Sequence, residues 1–309
     1  MSDPTADRAL AAAREQLLGA AKGAAAVRAF FDPATSTISY VVHDPATMRG
    51  AVIDSVLDYD AASGRTSTAS AEAIVAHVRE SGITIDWLLE THAHADHLSA
   101  APWLGNILGG TIAIGEHIRD VQAVFGDIFN ASAEFRRDGS DFGRLWADGE
   151  RFAIGNLPVT VLHVPGHTPA CVAYAIGDIV FVGDTMFMPD YGSARADFPG
   201  GDAAQLFRSL RRILELPGDT PLFLCHDYLT ADRQAHCWET TVAEQRADNV
   251  HARDGITETE FVARRRARDA GLSMPALLLP AVQVNMRAGR LPPAEDNGVA
   301  YLKIPIDRL

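Results

Sequence analysis

The sequence predicts a layered α/β (α+β) domain, with β-sheets covered by helices. Short β-type runs recur along the 309-residue chain, each closed by turn residues. Helical patterns fall between those runs rather than after them, which is the order expected when helices cover sheets. Residues 238–287 then read as mostly helical.

Taken in order, "MSDPTADRALAAAREQLLGAAKG" opens the chain with Asp3, Asp7, Arg8 and Arg14 scattered through it. That pattern fits neither a secretory signal nor an organelle transit peptide, and residues 1–26 are expected to form a helical extension. "VRAFF", "TISYVV" and "AVIDSVL" read as strands separated by Asp-Pro turns at 32–33 and 44–45. "SAEAIVAHVRESG" (70–82) predicts a helix capped by Ser70 and ended by Gly82. "TIDWLLETHAHADH" predicts a strand running into a loop. Strands are expected again at 111–115, 158–164, 171–177, 178–183 and 221–225, with helices near 97–107, 116–125 and 202–215. "GVAYLKIPI" (298–306) reads as a closing strand or an extended arm.

A hydrophobic fraction of 47% with 22% charged residues is enough apolar material for a packed core. No run of about 18 apolar residues suggests a membrane span. A net charge of −13 argues against a general nucleic-acid binder but leaves room for a small anion held by a few local arginines. Cys171, Cys225 and Cys237 form no C-x-x-C pair, so a reducing cytoplasm is the expected compartment. The sequence leaves open a homodimer.

"THAHADH" (91–97) puts three histidines and an aspartate within seven residues. His92, His94 and Asp96 share an extended-chain spacing that aims side chains one way, and His97 is expected to open the next helix. His167 in "PGHT", Asp184 in "VGDT" and His226 in "CHDY" each follow a strand-like run. Together these are metal-ligand types at strand ends. His163 sits inside a strand pattern and reads as structural. Cys171 and Cys225 flank these motifs; a nucleophilic role would need a base and a lowered pKa, and both read instead as small buried side chains.

This joint pattern resembles the metallo-β-lactamase fold, an αββα sandwich with metal at one edge of its two sheets. The resemblance covers residues 27–250 and leaves 251–309 as a helical C-terminal extension packed on the same domain. "GDTMFMPDYGSARADF", "CHDY", "TTVAEQRADN" and "VNMRAG" sharpen it toward the persulfide dioxygenase (sulfur dioxygenase, ETHE-type) branch, and toward the bacterial β-lactamase hydrolase-like proteins. Val164 and Ala196 depart from that branch's usual threonine and cysteine.

The resemblance implies one Fe(II) on His92, His167 and Asp184, a 2-His-1-carboxylate set. It implies His94, Asp96, His97 and His226 around them, orienting ligands and passing protons. It also implies glutathione persulfide and O2 as substrates and sulfite and glutathione as products. Two substrate carboxylates need local cations, for which Arg195 and Arg246 are the candidates, with Arg287 and Lys303 weaker. Tyr228 is the candidate hydrogen-bond donor. Two other readings compete. The same seven positions suit two Zn(II) ions in a thioesterase or lactonase, and a metal sensor without turnover is a third. A sensor has little need of so complete a ligand set.

Overall fold

Both Asp-Pro turns form as the sequence predicts: Asp32 accepts from Ala34 and Thr35, and Asp44 accepts from Ala46 and Thr47. The computed structural model describes residues 4–308. It opens with α1 (Pro4–Gly19), then β1 (Ala26–Asp32), β2 (Thr37–Asp44), β3 (Arg49–Ile53), β4 (Val56–Asp60) and β5 (Arg65–Ser67). Next come α2 (Ala69–Ser81), β6 (Thr84–Leu89), β7 (Leu98–Ser99), α3 (Ala101–Leu108), β8 (Thr111–Gly115) and α4 (Ile118–Ile128). A run of strands follows: β9 (Arg144–Trp146), β10 (Arg151–Ile154), β11 (Leu157–His163), β12 (Val172–Ile176) and β13 (Ile179–Phe181). The chain continues through α5 (Ala203–Ile213), β14 (Pro221–Phe223), β15 (Glu239–Thr241), α6 (Val242–Asp248), α7 (Glu258–Asp269) and α8 (Leu278–Asn285).

The strands build two six-stranded sheets, ordered β1-β2-β3-β6-β8-β9 and β10-β11-β12-β13-β14-β15, plus a small sheet β5-β4-β7. Strand alternation explains the layering, because successive side chains point to opposite faces. Tyr40, Val42, Ile53, Leu89, Val161, Tyr174, Phe181 and Phe223 fill the space between the sheets. Their neighbours Val41, Val52 and Leu88 pack instead under α2, α3 and α4. Leu162, Ala173, Val180 and Leu222 do the same under α1 and α5. The result is the αββα sandwich. Burying a side chain such as Phe181 in the middle layer contributes about 1.5–3 kcal/mol.

Several local expectations are corrected. The run "AVIDSVL" is two strands, β3 and β4, because Asp54 takes a positive φ of 50° between them. Ser70 does not cap α2. The helix begins at Ala69, and Asp58 on β4 takes the N–H and hydroxyl of Ser70 instead. Gly82 does end α2 in the left-handed conformation. His97 does not open a helix, since α3 starts only at Ala101, after β7. Residues 238–287 hold three short helices, two of them started by capping boxes at Thr241 and Thr257. The tail at 298–306 forms no strand and runs as an arm, tied by Lys303 to Gln283.

α1 lies on the second sheet, against β11. Ala9, Ala13 and Leu17 are buried there, and Gln16 donates to Ala175. Among the described residues no helix is long and apolar enough to cross a membrane.

Candidate metal centre

The C-terminal ends of β6, β11, β13 and β14 meet at one edge of the sandwich and deliver His92, His167, Asp184 and His226. Backbone bonds join the two sheets at this edge: Val172 donates to Thr91, and Ile38 donates to Cys225. Gly166 takes a φ of +135°, and a Cβ there would lie 2.2 Å from the Leu206 nitrogen. The turn that presents His167 therefore sits directly on α5, and only glycine fits.

His92, His167 and Asp184 come together. Asp184 Oδ2 lies 3.8 Å from His92 Nε2 and 3.6 Å from His167 Nε2. All three side chains are buried. His226 Nε2 is 3.3 Å from both Asp184 Oδ1 and Asp96 Oδ2. The rings of His92, His94 and His97 follow one another at 4.0 and 4.2 Å. Every metal-type residue predicted from sequence is in this cluster.

Each imidazole has one nitrogen committed to a protein oxygen. His167 Nδ1 faces the Arg195 carbonyl at 2.8 Å, and His226 Nδ1 faces the Ser36 carbonyl at 3.2 Å. Carbonyls only accept, so both Nδ1 atoms carry the proton and both Nε2 atoms keep a lone pair. The Thr91 hydroxyl donates to Asp54, so His92 Nδ1 donates to it at 3.0 Å. His97 Nδ1 donates to Asp96 at 3.2 Å. His94 is turned the other way: its Nε2 donates to Asp54 at 2.9 Å, leaving Nδ1 bare. His92 Nε2, His94 Nδ1, His97 Nε2, His226 Nε2 and Asp184 Oδ1 are all buried without a hydrogen-bond partner. Such orphaned atoms are costly unless something pairs them. Lone pairs and a carboxylate oxygen converging in one place fit a divalent cation.

Electrostatics agree with the neutral tautomer at His92 but not at His94, whose ring the neighbouring carboxylates keep protonated on both nitrogens while no metal is bound. Burial, helped by His94 and His167, holds His92 well below the usual histidine range, so it is neutral. Burial pushes His94 down, but Asp54 and then Glu90 outweigh it and hold the ring well above that range. Burial pushes the Asp96 carboxyl up, but His226 and His97 outweigh it and keep it well below the usual carboxylate range. Burial pushes the Cys171 thiol up to about 12 and Cys225 well above its ordinary value, so neither is a nucleophile at neutral pH.

A cavity of about 270 Å³ opens beside the cluster, with Asp96, His167 and Asp184 in its wall together with Tyr191, Arg195, Tyr228 and Arg268. The Tyr228 ring stacks on His226 at 5.4 Å. Arg195 lines the cavity, but both ends of its guanidinium bind Asp197 at 2.6 and 2.7 Å. Arg246 is elsewhere: it is exposed, pairs with Asp254 at 2.8 Å and is not in the cavity wall. Arg287 and Lys303 lie in a separate groove.

Four contributors escape a reading from sequence. Asp54 and Glu90 grip His94, the latter at 3.4 Å. An acid inside the apolar run "VIDSV" was the available signal for Asp54. Arg265 and Arg268 reach the cavity from α7, where they look like any surface arginines. Arg265 is spent on Asp269 at 2.7 Å, whereas Arg268 has no carboxylate partner among the described residues and lies 5.1 Å over the Tyr191 ring.

Comparison with known proteins agrees with this geometry. The Metallo-beta-lactamase superfamily matches residues 34–226. The chain is 56% identical to a probable metallo-hydrolase of Burkholderia pseudomallei, over 92% of this chain and 99% of that one. It is 48% identical to glyoxylase B2 of Dictyostelium discoideum, over 92% and 98%. It is 29% identical to the mitochondrial persulfide dioxygenase ETHE1 of Homo sapiens, over 92% and 97%. The crystal structure of ETHE1 from Myxococcus xanthus superposes with a TM-score of 0.68 at 28% identity, over 86% of this chain and 100% of that one. The chain belongs to the metallo-beta-lactamase superfamily.

Proposed function

We propose that the protein is a glutathione-dependent persulfide dioxygenase with one Fe(II) held by His92, His167 and Asp184. The observation that carries this reading is the division of the ligand cluster. Asp96 and His97 turn toward each other and toward Thr37, which donates to Asp96 at 3.1 Å. His92, His167 and Asp184 make no hydrogen bonds among themselves and bring one ligand atom each to a common point, where His167 and Asp184 open on the cavity that Asp96 also lines. The likeness to persulfide dioxygenase over nearly the whole chain supports the same choice.

The balanced reaction joins glutathione persulfide, O2 and water into glutathione, sulfite and two protons. A bound Fe(II) would supply the redox chemistry, for which a 2-His-1-carboxylate set is suited. The protein's own residues do the rest. Arg268 is the cavity cation free to take a substrate carboxylate, the role expected from sequence for Arg246. Tyr228 is 40% exposed at the cavity, but desolvation around its hydroxyl and then Asp96 and Asp184 raise it above its usual value, so it keeps its proton and donates to an anion. His226, with a bare Nε2 beside Asp184, is placed to accept a released proton. Phe187, Phe198 and Leu272 line the cavity and limit water around the sulfur.

A second reading, a dinuclear zinc hydrolase, has in its favour the bare nitrogens of His94, His97 and His226 and the likeness to glyoxylase B2. One experiment separates the two. Protein loaded anaerobically with Fe(II) is given glutathione persulfide, and O2 uptake and sulfite are followed. Zn(II)-loaded protein is given S-lactoylglutathione. The dioxygenase reading expects one mole of sulfite per mole of O2, one iron per chain and little thioester cleavage. Rapid thioester cleavage with two metals and no O2 uptake would overturn it.

A further inference from the structure

The loop from Thr91 to His97 carries four ligand-type side chains yet has almost no regular structure, so its backbone groups need partners outside it. Asn285, the last residue of α8, supplies three. Its Nδ2 donates to the carbonyls of His94 at 2.9 Å and His97 at 2.8 Å. Its Oδ1 accepts from the N–H of Ser99 at 2.8 Å. Asn285 is 4% exposed, so water does not compete. The Ser99 hydroxyl donates in turn to Glu90, which reaches His94 Nε2 at 3.4 Å.

The end of α8 is held against this loop from both sides. Gly289 has a φ of +80°, and a Cβ there would lie 2.9 Å from the Ser99 carbonyl and 2.6 Å from Pro102. On its other side, the Met286 carbonyl accepts from Gln122 on α4 at 2.9 Å. The segment "VNMRAG" thus joins α4 to the ligand loop without touching the cavity at all.

We propose that Asn285 is a positioning residue for the metal centre, setting the path of the 94–99 backbone and through it the donor atoms of the whole loop. The inference rests on the reading that His92, His167 and Asp184 hold the metal. Removing Asn285 frees two carbonyls and one N–H at the base of the loop, and the side chains above them lose their fixed aim. Groups that orient ligands from behind typically matter by about 10- to 100-fold in metal affinity or activity.

The test uses the full chain loaded with Co(II), whose absorption spectrum reports ligand geometry, alongside metal affinity by chelator competition and kinetics of the Fe(II) form. Asn285→Ala is expected to bind metal about 10- to 100-fold more weakly, shift the Co(II) spectrum and lower kcat with KM little changed. Asn285→Asp keeps an acceptor for Ser99 but sets a carboxylate against two carbonyls, and the same changes are expected. If Asn285→Ala does not fold, Gly289→Ala carries the test, since it presses on Ser99 with Asn285 intact. Variants that keep the wild-type spectrum and affinity and lose only thermal stability would overturn the proposal. Failure of the underlying reading looks different: Asp184→Ala would then bind Co(II) as well as the wild type does.

Discussion

Replacing Asp54 with asparagine keeps the side chain's size and exchanges one carboxylate oxygen for an NH2 group. Asp54 is 2% exposed, and its neighbours are donors: the Thr91 N–H at 2.7 Å, the Thr91 hydroxyl at 2.8 Å and His94 Nε2 at 2.9 Å. Asparagine sets a donor against at least one of them and removes the charge opposite His94. Removing one partner of a buried charged pair costs about 3–5 kcal/mol. At roughly 2–4 °C per kcal/mol for a large domain, Tm falls by about 6–20 °C. The assay is urea unfolding of metal-free protein, so that metal binding does not contribute. A loss below about 1 kcal/mol would refute the reasoning, because Asp54 would then not be an ionised acceptor for His94. The variant should also bind metal more weakly, since the His94 ring loses the carboxylate that fixes its orientation in the ligand loop.

Three further outcomes follow from the same geometry. Arg268→Ala should lower kcat/KM for glutathione persulfide by about 10- to 150-fold, mostly through KM, as the loss of a charged contact of about 1.5–3 kcal/mol implies. Arg246→Ala, which breaks an exposed pair with Asp254, should change it little, and steady-state kinetics on both variants decide between them. His251 accepts from the Ser193 N–H at 3.1 Å, and burial with Arg265 and Arg268 nearby lowers it from 6.5 to about 4. The unfolded chain therefore binds more protons between those values, so stability contributed above pH 6.5 is lost as pH falls to about 4. Urea unfolding across that range should show a loss of about 3 kcal/mol that His251→Gln abolishes. Of the three free cysteines only Cys237 is exposed, so a thiol reagent should modify one site in the native protein and three after denaturation.

The histidine and aspartate cluster was legible because its signal is local. Metal chemistry needs histidine and carboxylate at strand ends, and the strands announce themselves through alternation and turn residues. His92, His167, Asp184 and His226 stand out in that way wherever the sheets place them. The αββα layering was legible for a related reason: Val41 and Val42, adjacent in sequence, must face different layers once the chain is extended. Asp58 taking the place of Ser70 at the start of α2 was not legible, since a capping partner from another strand leaves no mark beside the helix.

The cations around the cavity were the least legible part. Arg246 and Arg268 both lie in helical stretches of the C-terminal region, and in the linear chain each has carboxylates nearby. Charge pairing is decided by distances of a few ångströms between residues far apart in sequence, and it separates arginines that sequence cannot tell apart. The fold brings Asp254 to Arg246, Asp197 to Arg195 and Asp269 to Arg265, and leaves Arg268 beside the cavity over an aromatic ring, with no carboxylate partner among the described residues. Asn285 makes the same point at longer range, acting on His94 from 191 residues away. The sequence by itself determined the donor atoms, since those are side-chain identities at strand ends. The tertiary structure alone decided which nitrogens stay bare, which cation is free and what holds the ligand loop, because each depends on a partner that only folding supplies.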